Sequence, residues 1–309
     1  MRNMRWLVVA LIVVGGIWGG LELRDRLAER SELLFPGFRS GDAAKITIRA
    51  ADRRAVLQKQ DGSWIVASED SFPAEAQAVE DLLTAVAGLS RNDKISSNPE
   101  KHQLYQVDSS GVAVTLEDSR GKLVASLVVG RMGPDYQSTY VRDAGSGDVV
   151  LAQGYLGPVF DRGKRSWLDK RVFAVDPAEA VEMGASIPAG TTVLLRDPAE
   201  KWYLSRPESA SCDQAAASRL LRSLAQLRCE AFAGRTARPD WGLAQADSAV
   251  WLKTRDGVEH RLLIGKSDES GRRYAARADG GPVYLISPVN VKAITPDAAA
   301  LLPKQASQP

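Results

Sequence analysis

The sequence predicts an α+β protein: two tandem copies of a mostly antiparallel sheet with one packed helix, preceded by a single transmembrane helix. Three observations predict it. Segments of period-two alternation surround one stretch of helical periodicity. That succession occurs twice, at an offset near 135 residues. An uncharged apolar run also stands close to the N-terminus.

Taken in order, residues 6–21 read WLVVALIVVGGIWGGL behind Arg2 and Arg5. Sixteen residues rising 1.5 Å each cover about 24 Å of a ~30 Å hydrocarbon core, and Arg5 and Arg24 can snorkel to the interfaces. Trp6 and Trp18 suit the aromatic belt. Signal-peptide cleavage wants small residues at alternate positions, whereas the run ends Trp18-Gly19-Gly20, so an uncleaved anchor is expected. The flank after it carries Glu22, Asp25, Glu29 and Glu32 against Arg24, Arg26 and Arg30. With the bases before the span, the N-terminus is expected in the cytoplasm and the bulk in the periplasm. Gly15/Gly19 and Gly16/Gly20 form two overlapping GxxxG patterns, which let another helix approach closely. Residues 1–30 thus read as anchor and flank, 31–43 as a stalk, and 304–309 as a tail.

The first repeat is expected over 44–175. Strands are expected at 45–50, 55–60 and 63–68, with Asp61-Gly62 as a hairpin turn. A helix follows near 74–89, where Val79, Leu82, Leu83, Val86 and Leu89 make one apolar stripe. Three more strands are expected at 111–118, 122–130 and 138–143, separated by turns at Ser119-Arg120-Gly121 and Gly145–Gly147.

The second repeat, 178–303, restates the first. Trp64/Trp202, Leu83/Leu221 and Leu89/Leu227 lie 138 apart, Val114/Val250 and Leu116/Leu252 136, Gly130/Gly265 135, and Tyr140/Tyr274 and Leu151/Leu285 134. A drift of four residues is what short loop indels produce. A helix near 213–228 carries Leu220, Leu221, Leu224 and Leu227, and Pro198-Ala199-Glu200 stands where the first copy has its Asp-Gly turn.

These features resemble the bacterial domain-of-unknown-function family 4340: a membrane anchor, a strand pair ending in a DGSW-type turn, LVVG followed by TYVR, and LDKRV…VDPAE at the junction of the repeats. The resemblance runs over about residues 6 to 303. It implies an extracytoplasmic companion of ABC-type export systems related to the gliding-motility transporter, and it supplies no catalytic residues.

The chemistry is sparse. Charge is balanced, 40 Lys+Arg against 38 Asp+Glu, which argues against a nucleic-acid partner. Gly265-Lys266-Ser267 looks like the end of a phosphate loop, but His260 occupies the place of the required glycine, so a turn is expected. His102 and His260 have no Cys or His at ligand spacing, and no G-x-S-x-G elbow occurs. Glu80 and Asp81 read as solvated charge on the outer helix face. Trp64, Trp202, Tyr140 and Tyr274 read as core, because duplication preserves core in both copies. Cys212 and Cys229 flank the second helix; seventeen residues of helix would hold them about 25 Å apart, beyond disulfide reach, so both are expected to stay thiols. No catalytic group, metal or cofactor is therefore expected. The expected function is that of a non-catalytic periplasmic accessory to an inner-membrane ABC-type transporter, with transporter subunits as partners and the anchor as one contact. The alternative is a periplasmic lipid- or glycan-binding module with its ligand held between the repeats.

Overall fold

The computed structural model describes residues 33–51, 53–91 and 93–303. The expected anchor, the four glycines Gly15, Gly16, Gly19 and Gly20, and the tail at 304–309 lie outside the described residues. Among the described residues, no helix is long and apolar enough to cross a membrane.

The chain divides into two compact units at Asp169/Lys170. In the first unit the elements are β1 (Lys45–Ala50), β2 (Arg53–Gln60), β3 (Ser63–Val66), β4 (Phe72–Pro73), α1 (Ala76–Ala87), β5 (Lys94–Ser96), β6 (Val112–Glu117), β7 (Leu123–Met132), β8 (Ser138–Asp143), β9 (Val149–Gln153) and α2 (Gly157–Phe160). The second unit contains β10 (Ala180–Ile187), β11 (Gly190–Arg196), β12 (Trp202–Arg206), β13 (Ala210–Ser211), α3 (Gln214–Ala225), β14 (Ala231–Gly234), β15 (Ser248–Thr254), β16 (Glu259–Ser267), β17 (Arg273–Arg277), β18 (Val283–Ile286) and α4 (Pro288–Ile294).

Each unit builds one nine-stranded sheet, in the orders β4-β3-β2-β1-β6-β7-β8-β9-β5 and β13-β12-β11-β10-β15-β16-β17-β18-β14. The two orders correspond strand for strand, and the register repeats as well. Ile46 and Ile48 pair with Leu116 and Val114, while Met183 and Ala185 pair with Leu252 and Val250. Val114 also faces Leu127 as Val250 faces Leu262. The assigned strand pairs are antiparallel throughout, with two short helices beyond the one expected per unit, so the architecture is mostly β with some helix. Three strands per unit go beyond the six expected. Edge strands β4 and β5 are two and three residues long, too short to show alternation. Strand β9 is buried at three of its first four positions, so its apolar run lacks period two.

The helices form where the stripes predict. In α1, Ala78, Val79, Leu82, Leu83 and Val86 are buried, and in α3 Ala216, Ala217, Leu220, Leu221, Leu224 and Ala225 are. Both helices span twelve residues, and Leu89 and Leu227 stay buried just beyond their ends. Asp213 caps α3, accepting from the N–H groups of Ala215 (2.8 Å) and Ala216 (3.1 Å).

The β2–β3 turn forms at Asp61-Gly62, both with positive φ (50° and 82°), as a two-residue hairpin with the strand twist requires. Its counterpart is a longer loop. Asp197 N–H donates to Lys201 O and Glu200 N–H to Asp197 O, each at 2.9 Å, with Glu200 at φ +63°. This is the loop that Asp118–Lys122 and Asp268–Arg272 make elsewhere, where Gly121 and Gly271 hold the left-handed position.

Residues 33–43, expected as a stalk, pack on the first unit: Leu34, Phe38 and Ala43 are buried, and Leu34 N–H donates to Leu89 O at 2.7 Å. The junction is shared out in sequence. Trp167 and Leu168 are buried in the first unit, where Trp167 O accepts from Glu75 N–H, whereas Val172 and Phe173 enter the core of the second.

The sheet face away from the helix is covered by a crossing segment in each unit. Tyr105 packs on Tyr140 with centroids 4.6 Å apart and the rings tilted, and its counterpart Trp241 stacks on Tyr274 at 4.7 Å. Tyr140, Val107 and Val149 form the small core beneath the first, and Trp241, Leu243 and Val283 that beneath the second. The matched strand glycines explain the close crossing. A Cβ on Gly130 would clash with Tyr105 O, and one on Gly265 with Trp241 O. Both glycines sit at a register shift of their strand, so the bulge has been duplicated with the crossing.

Candidate functional site

The residues singled out for chemistry take up structural duties. His102 bonds through Nε2 to Gly147 O at 3.1 Å, and His260 meets Phe173 edge-on. Gly265-Lys266-Ser267 is not the expected turn but the end of β16, where the glycine admits the crossing backbone. Asp81 accepts from Gln77 Nε2 (2.9 Å) and pairs with Arg162 (3.3 Å). Trp202 and Tyr140 are buried, and Trp64 and Tyr274 partly so. Cys212 and Cys229 are buried thiols rather than a disulfide. Burial pushes the Cys212 thiol up, and the neighbouring Asp213 carboxylate adds to it. Among the described residues, no three His, Cys, Asp or Glu side chains are grouped to hold a metal ion.

What the fold does build is a cleft at the C-terminal end of the helix in each unit. In the first, Thr84 and Ala85 of α1 and Gly88 at its C-cap face Leu151, Gln153 and Leu156 across about 380 Å³. In the second, Arg219, Arg222 and Ser223 of α3 and Gln226 at its C-cap face Asn290 and Ala293 of α4 across about 360 Å³. The lining positions correspond at the repeat offset of 138, Thr84 to Arg222, Ala85 to Ser223, Gly88 to Gln226 and Ser90 to Arg228. Residues 219, 222, 223 and 226 stand at i, i+3, i+4 and i+7, so helical geometry alone puts them in one strip beside the buried stripe. Cleft position is conserved between the copies, and cleft chemistry is not.

The divergence is one of charge. One turn before Thr84 stands Asp81, and its counterpart is Arg219. Helix α1 carries Glu80 and Asp81 and no base; α3 carries Arg219 and Arg222 and no acid. With Arg228 just past the helix, three arginines line the second cleft, and no Asp or Glu lines it among the described residues. Asn290 Nδ2 donates to Arg228 O at 3.4 Å, tying α4 to the residues beyond α3. Sequence reasoning passed over these positions. The signal was present in the repeat alignment, as Asp81/Arg219, Thr84/Arg222 and Ser90/Arg228, but nothing in it showed that α4 closes the strip into a cleft.

Fold and clefts together define a duplicated β-rich scaffold, two copies of one unit whose cores agree and whose concave surfaces have diverged. The family model described as Domain of unknown function (DUF4340) matches residues 64–246, more than half of the chain, and the protein belongs to that family. The match starts in β3 and ends just before β15, so it takes in both long helices and the junction between the units. Neither the curated proteins nor the solved structures gave a match.

Proposed function

We propose that the protein is a non-catalytic periplasmic accessory subunit of an inner-membrane ABC-type transport complex, working through protein contacts. One observation carries the reading. What duplication has kept in both copies is core, hairpin and crossing backbone, while the surfaces at equivalent clefts have changed sign of charge. A scaffold that presents two different surfaces from one architecture suits contact with unlike partners. The basic-then-apolar start and the doubled GxxxG pattern of Gly15, Gly16, Gly19 and Gly20 support a membrane anchor that is itself one contact.

The test is recovery of the tagged full chain from membranes in mild detergent. A co-purified ATPase and permease are expected, with less permease recovered from the double variant Gly16→Leu, Gly20→Leu, which keeps the span apolar. A chain that elutes alone, or one that turns over a substrate without partners, overturns the reading. Alkaline phosphatase fused after residue 309 should be active if the bulk is periplasmic. A second reading, a lipid- or glycan-binding module, is favoured by the arginine-lined cleft of the second unit.

A further inference from the structure

We infer that the cleft between α3 and α4 is a binding site for a phosphate group, held by Arg219 and Arg222 with Arg228, Ser223 and Asn290 around it. This deepens the binding-module reading but stands on the second unit alone, so it is independent of any transporter partnership.

The first support is electrostatic. Guanidinium groups brought together repel one another, and proteins ordinarily offset that with carboxylates. Several other arginines of this unit find acids: Arg196 and Arg255 with Glu200, Arg272 with Asp268, and Arg273 with Asp247. Arg219 and Arg222 have neither an ion pair nor a side-chain hydrogen bond among the described residues, and the cleft they line has no carboxylate. The helix dipole accounts for only part of this. A cation is favoured in the last turn of α3, where Arg222 stands, but Arg219 is a turn earlier and Arg228 is beyond the helix.

The second support is the donor set. Guanidinium presents N–H groups in a planar fork suited to two oxygens of one phosphate, while the Ser223 hydroxyl and the Gln226 amide can add donors. A phosphate, as monoester or diester, offers several oxygens that the forks of Arg219 and Arg222 can share, which a single carboxylate does not. The volume, about 360 Å³, also exceeds what a carboxylate needs. The third support is the internal comparison. The first unit has the same cleft with Thr84, Ser90 and Asp93 in its lining, so the fold does not demand arginine there.

A phosphate could reach this site on a phospholipid headgroup or as a soluble phosphate, and the experiment separates the two. The full chain, in neutral detergent, is titrated with sodium phosphate at constant ionic strength while the Nε–Hε signals of Arg219 and Arg222 and the amide of Ser223 are followed by NMR. Saturable shifts confined to these groups are expected, with the amides of Thr84 and Ala85 unmoved. Arg219→Gln with Arg222→Gln should weaken binding by about tenfold or more, since charged hydrogen bonds are removed. Dihexanoyl phosphatidylglycerol binding more tightly than inorganic phosphate identifies the headgroup; equal or weaker binding identifies the soluble form. Shifts that sodium chloride reproduces, shifts at Thr84 as large as at Arg222, or an unchanged affinity in the double variant overturn the inference. Should the double variant fail to fold, the wild-type titration still decides.

Discussion

Gly265→Ala is the sharpest perturbation of the crossing that the two units share. An added Cβ would meet the carbonyl oxygen of Trp241, and it also approaches the Gly242 backbone and Leu243. Backbone cannot rotate away as a side-chain end can, so either β16 or the crossing segment must move. A methyl forced into a packed site costs about 1–3 kcal/mol. If the segment lifts instead, Trp241, now 6% exposed, loses burial together with its stacking on Tyr274, worth about 0.5–1.5 kcal/mol. The expected destabilisation is therefore about 2–4 kcal/mol, confined to the second unit. Hydrogen exchange read by mass spectrometry resolves the units without assuming a single unfolding transition. Protection of peptides from β15 and β16 should fall by about thirty- to seven-hundredfold, with peptides from β6 and β7 unchanged. Gly41→Ala, where no atom lies within 4 Å of the added carbon, should change nothing beyond about 0.5 kcal/mol. Protection of β16 in Gly265→Ala that stays within about threefold of wild type would refute the close-crossing account.

Leu82 and Leu220 are repeat counterparts buried under their helices, and truncating either to alanine should cost about 2–5 kcal/mol in its own unit, read from the same exchange experiment. Asp213→Ala removes a cap that satisfies two backbone N–H groups and should cost about 1 kcal/mol in the second unit, seen as faster exchange in the first turn of α3. The Asp268 carboxylate is held below its usual range, first by Arg272 and then by backbone N–H groups. The unfolded chain therefore takes up that proton first as pH falls, and stability declines below about pH 4. Asp268→Asn should flatten that decline in thermal melts at acid pH. The raised Cys212 thiol works in the opposite range: above the ordinary thiol pKa the unfolded chain ionises first, so stability falls as pH rises past about 8.5, and Cys212→Ala should lessen the fall. Alkylation of both cysteines should need denaturant, and a recovered Cys212–Cys229 linked peptide would contradict the fold.

Much of the architecture is legible in local pattern. Residues 45–50 alternate and form β1 over that span, 138–143 form β8 as expected, and the stripe from Val79 to Val86 marks α1 to within two residues at each end. The repeat of Trp64 as Trp202 and Gly130 as Gly265 by itself indicates duplication, because side chains that fill a core and glycines that admit a backbone must recur wherever the unit recurs. That Cys212 and Cys229 stay thiols is legible as well, since an amphipathic helix stands between them, whereas their burial is not.

Other features are set by partners distant in sequence. Lys94–Ser96 becomes a strand only because β9, over fifty residues on, offers its edge, and three exposed or half-exposed residues carry no periodic trace of that pairing. Gly265-Lys266-Ser267 resembles a turn in isolation and is strand because β17 pairs with its end. Arg219 and Arg222 are visible in the sequence as solvent-facing residues of an amphipathic helix. Helical periodicity determines which face goes inward, because burying apolar surface is a local bargain between a stripe and whatever core receives it. What stands opposite the polar face depends on where α4 lands after β18 has joined the sheet, and only that long-range packing turns two arginines on a helix into the wall of a cleft.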